Sequence, residues 1–135
     1  MLSIKKYAAI DIGSNAVRLL IANIIEEKGK PPRFKKSSLV RVPIRLGADV
    51  FLKQKISKEN TKRMLDTMLA FKLLMQSHKV YKYKACATSA MREAENGKKV
   101  ADLIFDKTDI IIDIIEGEEE AAIIAATDLH TFIDD

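Results

Sequence analysis

The feature that most constrains this chain is a short polar turn between two apolar runs near its start. Residues 8–21 read AAIDIGSNAVRLLI, which predicts a strand, a tight turn and a second strand returning beside the first. Asp11 ends the first run, where a carboxylate is costly to bury without a partner or a metal. Gly13 can adopt backbone angles closed to other residues and leaves room for a ligand oxygen near main-chain N–H groups, and Ser14 and Asn15 add side-chain donors. The turn is therefore either an ordinary hairpin or a binding site.

The composition describes one globular domain. The chain has 135 residues, of which 47% are hydrophobic, enough for a substantial core. It contains no apolar run of the roughly 18 residues that a membrane span needs, and its start lacks the pattern of a signal peptide, so we expect a cytoplasmic protein with no membrane partner. The single cysteine, Cys86, excludes an intramolecular disulfide, and its apolar neighbours favour a packed thiol over a nucleophile.

The formal net charge is +4, with the basic excess in the first two thirds of the chain and an acidic tail. Basic residues spread over loops and a helix face are most often simply solvated. A nucleic-acid patch and a site for a polyanionic ligand require the same positive surface. The charge alone leaves these alternatives open.

Hydrophobic periodicity predicts an α/β chain with the element order βββαβαβα and a mixed five-stranded sheet. The predicted strands cover residues 7–12, 17–25, 34–44, 80–87 and 109–115, and the helices cover 57–77, 96–105 and a segment from 117 onward. Residues 45–50 are predicted to form a loop.

Further polar residues follow two of the later strands. Thr88 and Ser89 could present donors to an anion and Arg92 a positive charge, although the segment taken alone favours a simple helix cap with an Arg92–Glu95 surface pair. Glu120 lies in an acidic run after the last strand, where it could serve as a general base, hold a divalent cation, or simply favour a helix N-terminus. Because ligands bind at the carboxyl ends of parallel strands, these residues and the turn predict one site.

Four sequence motifs together resemble the exopolyphosphatase and guanosine pentaphosphate phosphohydrolase (Ppx/GppA) family. They are AAIDIGSNAVRL at 8–19, RLG at 45–47, ATSAMR at 87–92 and IEGEEEA at 115–121. The resemblance implies the fold of the actin-like ATPase superfamily, with a ribonuclease-H-like core in the order βββαβαβα.

The resemblance also implies residue roles and an activity. It matches Asp11, Gly13, Ser14 and Asn15 to the family's first phosphate loop, Arg92 to an arginine that faces the phosphate chain, and Glu120 to the catalytic glutamate. The implied reaction is Mg²⁺-dependent release of terminal phosphate from inorganic polyphosphate or guanosine pentaphosphate. We expect Thr88 and Ser89 to bind phosphate as well, and Asp11 and Glu120 to be the magnesium ligands.

Two departures from the family pattern matter. The common Ser-Gly before the glutamates is Glu116-Gly117 here, and the family's second phosphate loop, Asp-x-Gly-Gly-Gly-Ser, does not occur in the sequence. We therefore expect residues 1–135 to be the N-terminal domain of a longer protein, inactive alone and able to form a homodimer through an exposed interdomain face. A kinase or ATPase of the same fold and a non-catalytic module for polyphosphate or nucleic acid are the alternative functions.

Overall fold

The computed structural model describes residues 2–115, which form five strands and four helices around one sheet. In chain order the elements are β1 (Leu2–Ile12), β2 (Ala16–Glu27), β3 (Arg33–Pro43), α1 (Leu46–Lys53), α2 (Lys58–Ser77), β4 (Lys82–Ala87), α3 (Ser89–Glu93), α4 (Gly97–Thr108) and β5 (Ile112–Ile114). The strand order in the sheet is β3-β2-β1-β4-β5. The first three strands pair antiparallel, whereas β4 pairs parallel with both β1 and β5. The mixed five-stranded sheet predicted from the sequence is thus confirmed.

The helices pack on one face of the sheet and form the main core there. Ile10 and Leu19 point from β1 and β2 into this core, where they meet Phe71 of α2 and Ile104 of α4, all at most 2% exposed. Burying an apolar side chain of this size contributes about 1.5–3 kcal/mol. Side chains alternate along a strand, so the neighbours of these core residues on β1 and β2 lie on the opposite face of the sheet. Asp11 is one of them.

Several local predictions are confirmed. The helix predicted over 57–77 is α2, and Ser57 caps it by accepting a hydrogen bond from the Asn60 N–H at 3.1 Å. Cys86 is a buried, packed thiol with 5% exposure.

One predicted loop and several predicted boundaries were wrong. The loop predicted over 45–50 is largely helix α1, which is held by Leu46 and Val50 packing into the core one turn apart, a signal too short to recognise in sequence. β1 begins five residues earlier than predicted, because its exposed first half pairs with the end of β2. β5 begins later, because Asp109 takes a left-handed conformation, with φ of 63°, that ends α4.

The helix predicted from Gly117 lies outside the described residues, and so does Glu120. None of the helices within residues 2–115 combines the length and the apolarity required to cross a membrane.

Candidate functional site

Gly13 closes the turn between β1 and β2 with a main-chain hydrogen bond. The Gly13 N–H donates to the Ala16 carbonyl at 3.0 Å, so this N–H is already engaged and is not available to a ligand. Among the described glycines only Gly29 has a positive φ, so Gly13 does not use the backbone freedom that we expected of it. A Cβ at Gly13 would lie 3.3 Å from the Ala16 carbonyl oxygen, and this close approach within the turn is what favours glycine there.

The next two residues of the turn keep their N–H groups free. Within residues 2–115 the structure shows no acceptor for the N–H of Ser14 or Asn15. Their carbonyls are engaged instead: Ser14 accepts from the Gly47 N–H at 2.9 Å and Asn15 accepts from the Ile44 N–H at 3.1 Å. Because both carbonyls are bound within the protein and the two N–H groups have no acceptor there, these N–H groups are available to an anion.

Helix α1 supports this turn directly. A Cβ at Gly47 would lie only 2.9 Å from the Ser14 Cβ, so glycine is needed for the helix to approach the turn so closely. The Arg45-Leu46-Gly47 segment therefore has a structural role beside the site.

The junction between β4 and α3 meets the same turn. The Ser14 and Ser89 hydroxyl oxygens lie 3.3 Å apart, which joins two residues that are 75 positions apart in the sequence. The Thr88 N–H donates to the Ile12 carbonyl at 3.2 Å, and Thr88 as a whole residue is buried, with 7% exposure. The parallel pairing of β1 and β4 produces this contact, because it brings both strand ends to one edge of the sheet.

Arg92 links α3 to the end of β5. Its Nη1 donates to the Ile115 carbonyl at 2.9 Å. No ion pair between Arg92 and Glu95 is present in the part of the chain that the structure describes, so the alternative of a simple surface pair is not what the structure contains. The guanidinium thus reaches the point from which the acidic run of residues 116–120 continues.

Sequence reasoning missed two arginines beside the turn. Arg18 forms an ion pair with Asp11, its cross-strand neighbour, and Arg41 is the cross-strand neighbour of Arg18 on β3. The hairpin register carried the signal for Arg18, since pairing residue 12 with residue 17 places 11 opposite 18. The position of Arg41 depended on the register of β3, which shifts at a bulge between Ile21 and Ala22 that the sequence does not reveal.

These residues surround one open cavity of about 270 Å³. It is lined by Asp11, Gly13, Ser14, Asn15, Ala16, Arg18 and Arg41. Free N–H groups and two guanidinium groups suit a ligand with several anionic oxygens.

Asp11 supplies a carboxylate to this cavity, but it is already paired with Arg18. Within residues 2–115 no three His, Cys, Asp or Glu side chains cluster in a way that could hold a metal ion. Mg²⁺ at phosphate sites often needs only one or two carboxylates together with substrate oxygens, so Asp11 fits as a partial ligand if Arg18 releases it.

Comparison with known proteins shows the family to which this fold and sequence are similar. The model of the Ppx/GppA phosphatase family matches residues 29–135. A bifunctional 3-dehydroquinate synthase/phosphatase from Fusobacterium nucleatum is 34% identical over 86% of this chain and 18% of its own length. A guanosine-5'-triphosphate,3'-diphosphate pyrophosphatase from Photobacterium profundum is 33% identical over 93% of this chain and 24% of its own. Exopolyphosphatase 1 from Mycobacterium bovis is 28% identical over 86% and 33%.

Solved structures match the fold as well. The Aquifex aeolicus member of the Ppx/GppA protein family gives a TM-score of 0.78 at 28% identity, over 87% of this chain and 37% of that one. An exopolyphosphatase from Cytophaga hutchinsonii gives 0.72 at 27% identity, over 84% and 35%. The chain has the fold of these proteins, the actin-like ATPase fold that the sequence motifs implied, and it spans about a fifth to a little over a third of their lengths.

Proposed function

Since the chain belongs to the Ppx/GppA phosphatase family, we propose that it forms the first phosphate-binding half of a phosphohydrolase. The substrate is inorganic polyphosphate or guanosine pentaphosphate, from which the terminal phosphate is released. The 3.3 Å contact between Ser14 and Ser89 carries the proposal, because it joins the turn to the Arg92 helix at one sheet edge. Relatives named as an exopolyphosphatase and as a guanosine-5'-triphosphate,3'-diphosphate pyrophosphatase support the substrate class.

In this mechanism the N–H groups of Ser14 and Asn15 bind the terminal phosphate, with the Ser14 and Ser89 hydroxyls beside them. Arg92 offsets negative charge that develops on the phosphate chain. Glu120 orients or deprotonates the attacking water, which forms a bond to phosphorus as the bridging oxygen leaves.

Magnesium is the proposed cofactor, with Asp11 and Glu120 as its protein ligands. When bound it would neutralise charge on the phosphate oxygens. The Arg18–Asp11 ion pair holds the Asp11 carboxylate beside the turn, where it would be available as a metal ligand.

The magnesium proposal is tested by calorimetric titration of Mg²⁺ in the presence of pyrophosphate, with Asp11→Asn and Asp113→Asn compared. Asp113 is a matched control because it lies in the same cross-strand row on β5, two strands away. We expect loss of metal binding for Asp11→Asn alone. Equal metal binding by the two variants would remove Asp11 as a ligand.

The second half of the catalytic site is proposed to come from residues that are not in this chain, since the relatives are about three to five times longer. Catalysis of in-line phosphoryl transfer depends on positioning the nucleophile and the phosphate from both sides.

The proposed reaction is tested by phosphate release from polyphosphate and from guanosine pentaphosphate in the full-length protein. Glu120→Gln should lower the rate by roughly 10²- to 10⁴-fold, the usual loss for a general base. Glu118→Gln changes the same type of residue in the same run and should leave the rate within about twofold. An unchanged rate for Glu120→Gln would remove Glu120 from this role, and ATP-dependent transfer without release from polyphosphate would indicate a kinase of the same fold.

A further inference from the structure

Arg41 lies on the edge strand β3, one strand further from β1 than Arg18. The register places Arg41 directly opposite Arg18, so the two side chains leave the same face of the sheet. Both line the cavity that also contains Ser14 and Asn15. Arg41 therefore borders the same cavity as the turn residues Ser14 and Asn15.

The charges around this cavity do not balance. Arg18 has Asp11 as its partner, but none of the ion pairs among residues 2–115 includes Arg41. Two like charges directly opposite each other on a sheet are unfavourable, and one carboxylate offsets only one of them. An anion in the cavity would remove this repulsion.

The distance between strands separates Arg41 from the turn that is proposed to bind the terminal phosphate. Neighbouring strands lie about 4.8 Å apart, so the two strand spacings from β1 to β3 place Arg41 to one side of the turn rather than above it. A single phosphate on the turn satisfies the N–H groups of Ser14 and Asn15. A chain of linked phosphates is long enough to contact the Arg41 guanidinium as well.

We propose that Arg41 is a specificity-determining residue that binds a phosphate beyond the terminal one, and thereby favours condensed phosphates over orthophosphate. The proposal rests on the proposed function in one respect, namely that the turn binds the terminal phosphate. Arginine suits this task because its planar guanidinium can donate two parallel hydrogen bonds to one phosphate group.

The experiment compares orthophosphate, pyrophosphate and tripolyphosphate by ¹H–¹⁵N chemical-shift titration of the 135-residue chain. The variants are Arg41→Gln, Arg41→Lys and Arg33→Gln. Arg33 provides a matched control, since it is exposed on the same edge strand at the opposite end and its substitution removes the same charge.

Arg41→Gln should weaken tripolyphosphate binding by about tenfold while orthophosphate affinity changes by less than about twofold. Arg41→Lys should recover part of the tripolyphosphate affinity, because the charge remains although the two-pronged geometry is lost. Arg33→Gln should match the unsubstituted chain for all three ligands. A merely structural role of Arg41 would lower all three affinities together and would not change their ratio.

Two results would overturn the proposal in different ways. If the unsubstituted chain binds tripolyphosphate at the turn and Arg41→Gln behaves like Arg33→Gln, Arg41 has no role in specificity and the proposed function stands. If the unsubstituted chain shifts no resonance of Ser14 or Asn15 with any of the three ligands, the phosphate-binding turn itself is refuted, and Arg41 fails with it.

Discussion

Ser14 is the residue on which separate parts of the chain converge. Its carbonyl accepts from Gly47 of α1, and its hydroxyl contacts Ser89 at the start of α3. Within residues 2–115 the Ser14 N–H has no acceptor, so it is available to a ligand. Changes at the neighbours of Ser14 should therefore affect binding more than stability.

Gly47→Ala tests that expectation. The new Cβ would lie 2.9 Å from the Ser14 Cβ and push the turn out of place, so we expect a loss of tripolyphosphate affinity of about fivefold or more. Alanine also favours a helix over glycine by about 1 kcal/mol, so the free energy of unfolding should change little.

The control for Gly47→Ala is Ala48→Gly, at an exposed position of the same helix. It should show the reverse pattern, with about 1 kcal/mol of stability lost and affinity retained. Urea unfolding and phosphate titration measure the two effects. Equal affinity for Gly47→Ala and the unsubstituted chain would show that α1 does not position the turn.

At the scale of elements, the packing of α4 against α3 depends on a second glycine. A Cβ at Gly97 would lie 1.8 Å from the Met91 carbonyl oxygen, a backbone atom that cannot move without moving α3. Arg92 belongs to α3, so the position of its guanidinium depends on this contact.

Gly97→Ala is expected to destabilise the protein by about 3 kcal/mol or more, because either α3 or α4 must shift. This exceeds the gain of up to about 1 kcal/mol that alanine gives by restricting the unfolded chain. Lys98→Ala, at the next and exposed position, should change stability by less than about 0.5 kcal/mol. Urea midpoints that are the same for both variants would contradict the close contact.

The first turn of α1 contains a carboxylate, Asp49, that accepts hydrogen bonds from the start of α2 and whose titration affects stability. Burial raises the pKa of Asp49, but hydrogen bonds from the Ser57 N–H at 3.0 Å and the Asn60 amide at 2.8 Å, with the nearby charge of Lys53, outweigh it. The pKa of Asp49 therefore lies below its ordinary value. A folded-state pKa below the unfolded one means that the charged form stabilises the fold above the unfolded pKa, and that this contribution is lost as pH falls through the folded pKa.

Asp49→Asn should accordingly cost about 1–2 kcal/mol near pH 6 and progressively less below about pH 4, where the native side chain also becomes neutral. Urea unfolding across this pH range, with the unsubstituted chain measured alongside, provides the comparison. A difference in stability that stays constant down to pH 2 would show that the charge of Asp49 contributes nothing.

At the scale of the whole molecule, the polar turn of residues 13–15 lines an open cavity. The chain spans 37% of the length of its Aquifex aeolicus structural relative, which leaves most of such a protein outside it. We therefore expect that the 135-residue chain can bind phosphate without catalysing its release.

The 135-residue chain should bind tripolyphosphate but release phosphate from polyphosphate at least about 10³-fold more slowly than a full-length protein. If the site is two-sided as proposed, one half alone would lack the positioning that accelerates the reaction. A phosphate-release assay at matched protein concentrations measures this difference. Comparable rates would show that the described site and residues 116–135 are sufficient for catalysis.

Self-association stays a prediction. Phe51 and Leu52 of α1 are 83% and 72% exposed, and adjacent exposed apolar side chains favour contact with another protein surface. Sedimentation over a wide concentration range should show a dimer that Phe51→Ser dissociates. A monomer at every concentration would refute it.

The sequence by itself determined the succession of five strands along the chain, the capped helix α2 and the polar turn, since each of these is encoded by neighbouring residues through periodicity and local hydrogen bonding. Tertiary structure alone decided that Gly47 supports the turn, that Ser14 meets Ser89, and that Arg41 borders the cavity. These contacts join distant segments through strand register and helix packing. Such contacts depend on how the complete sheet assembles, so no local pattern of residues reports them.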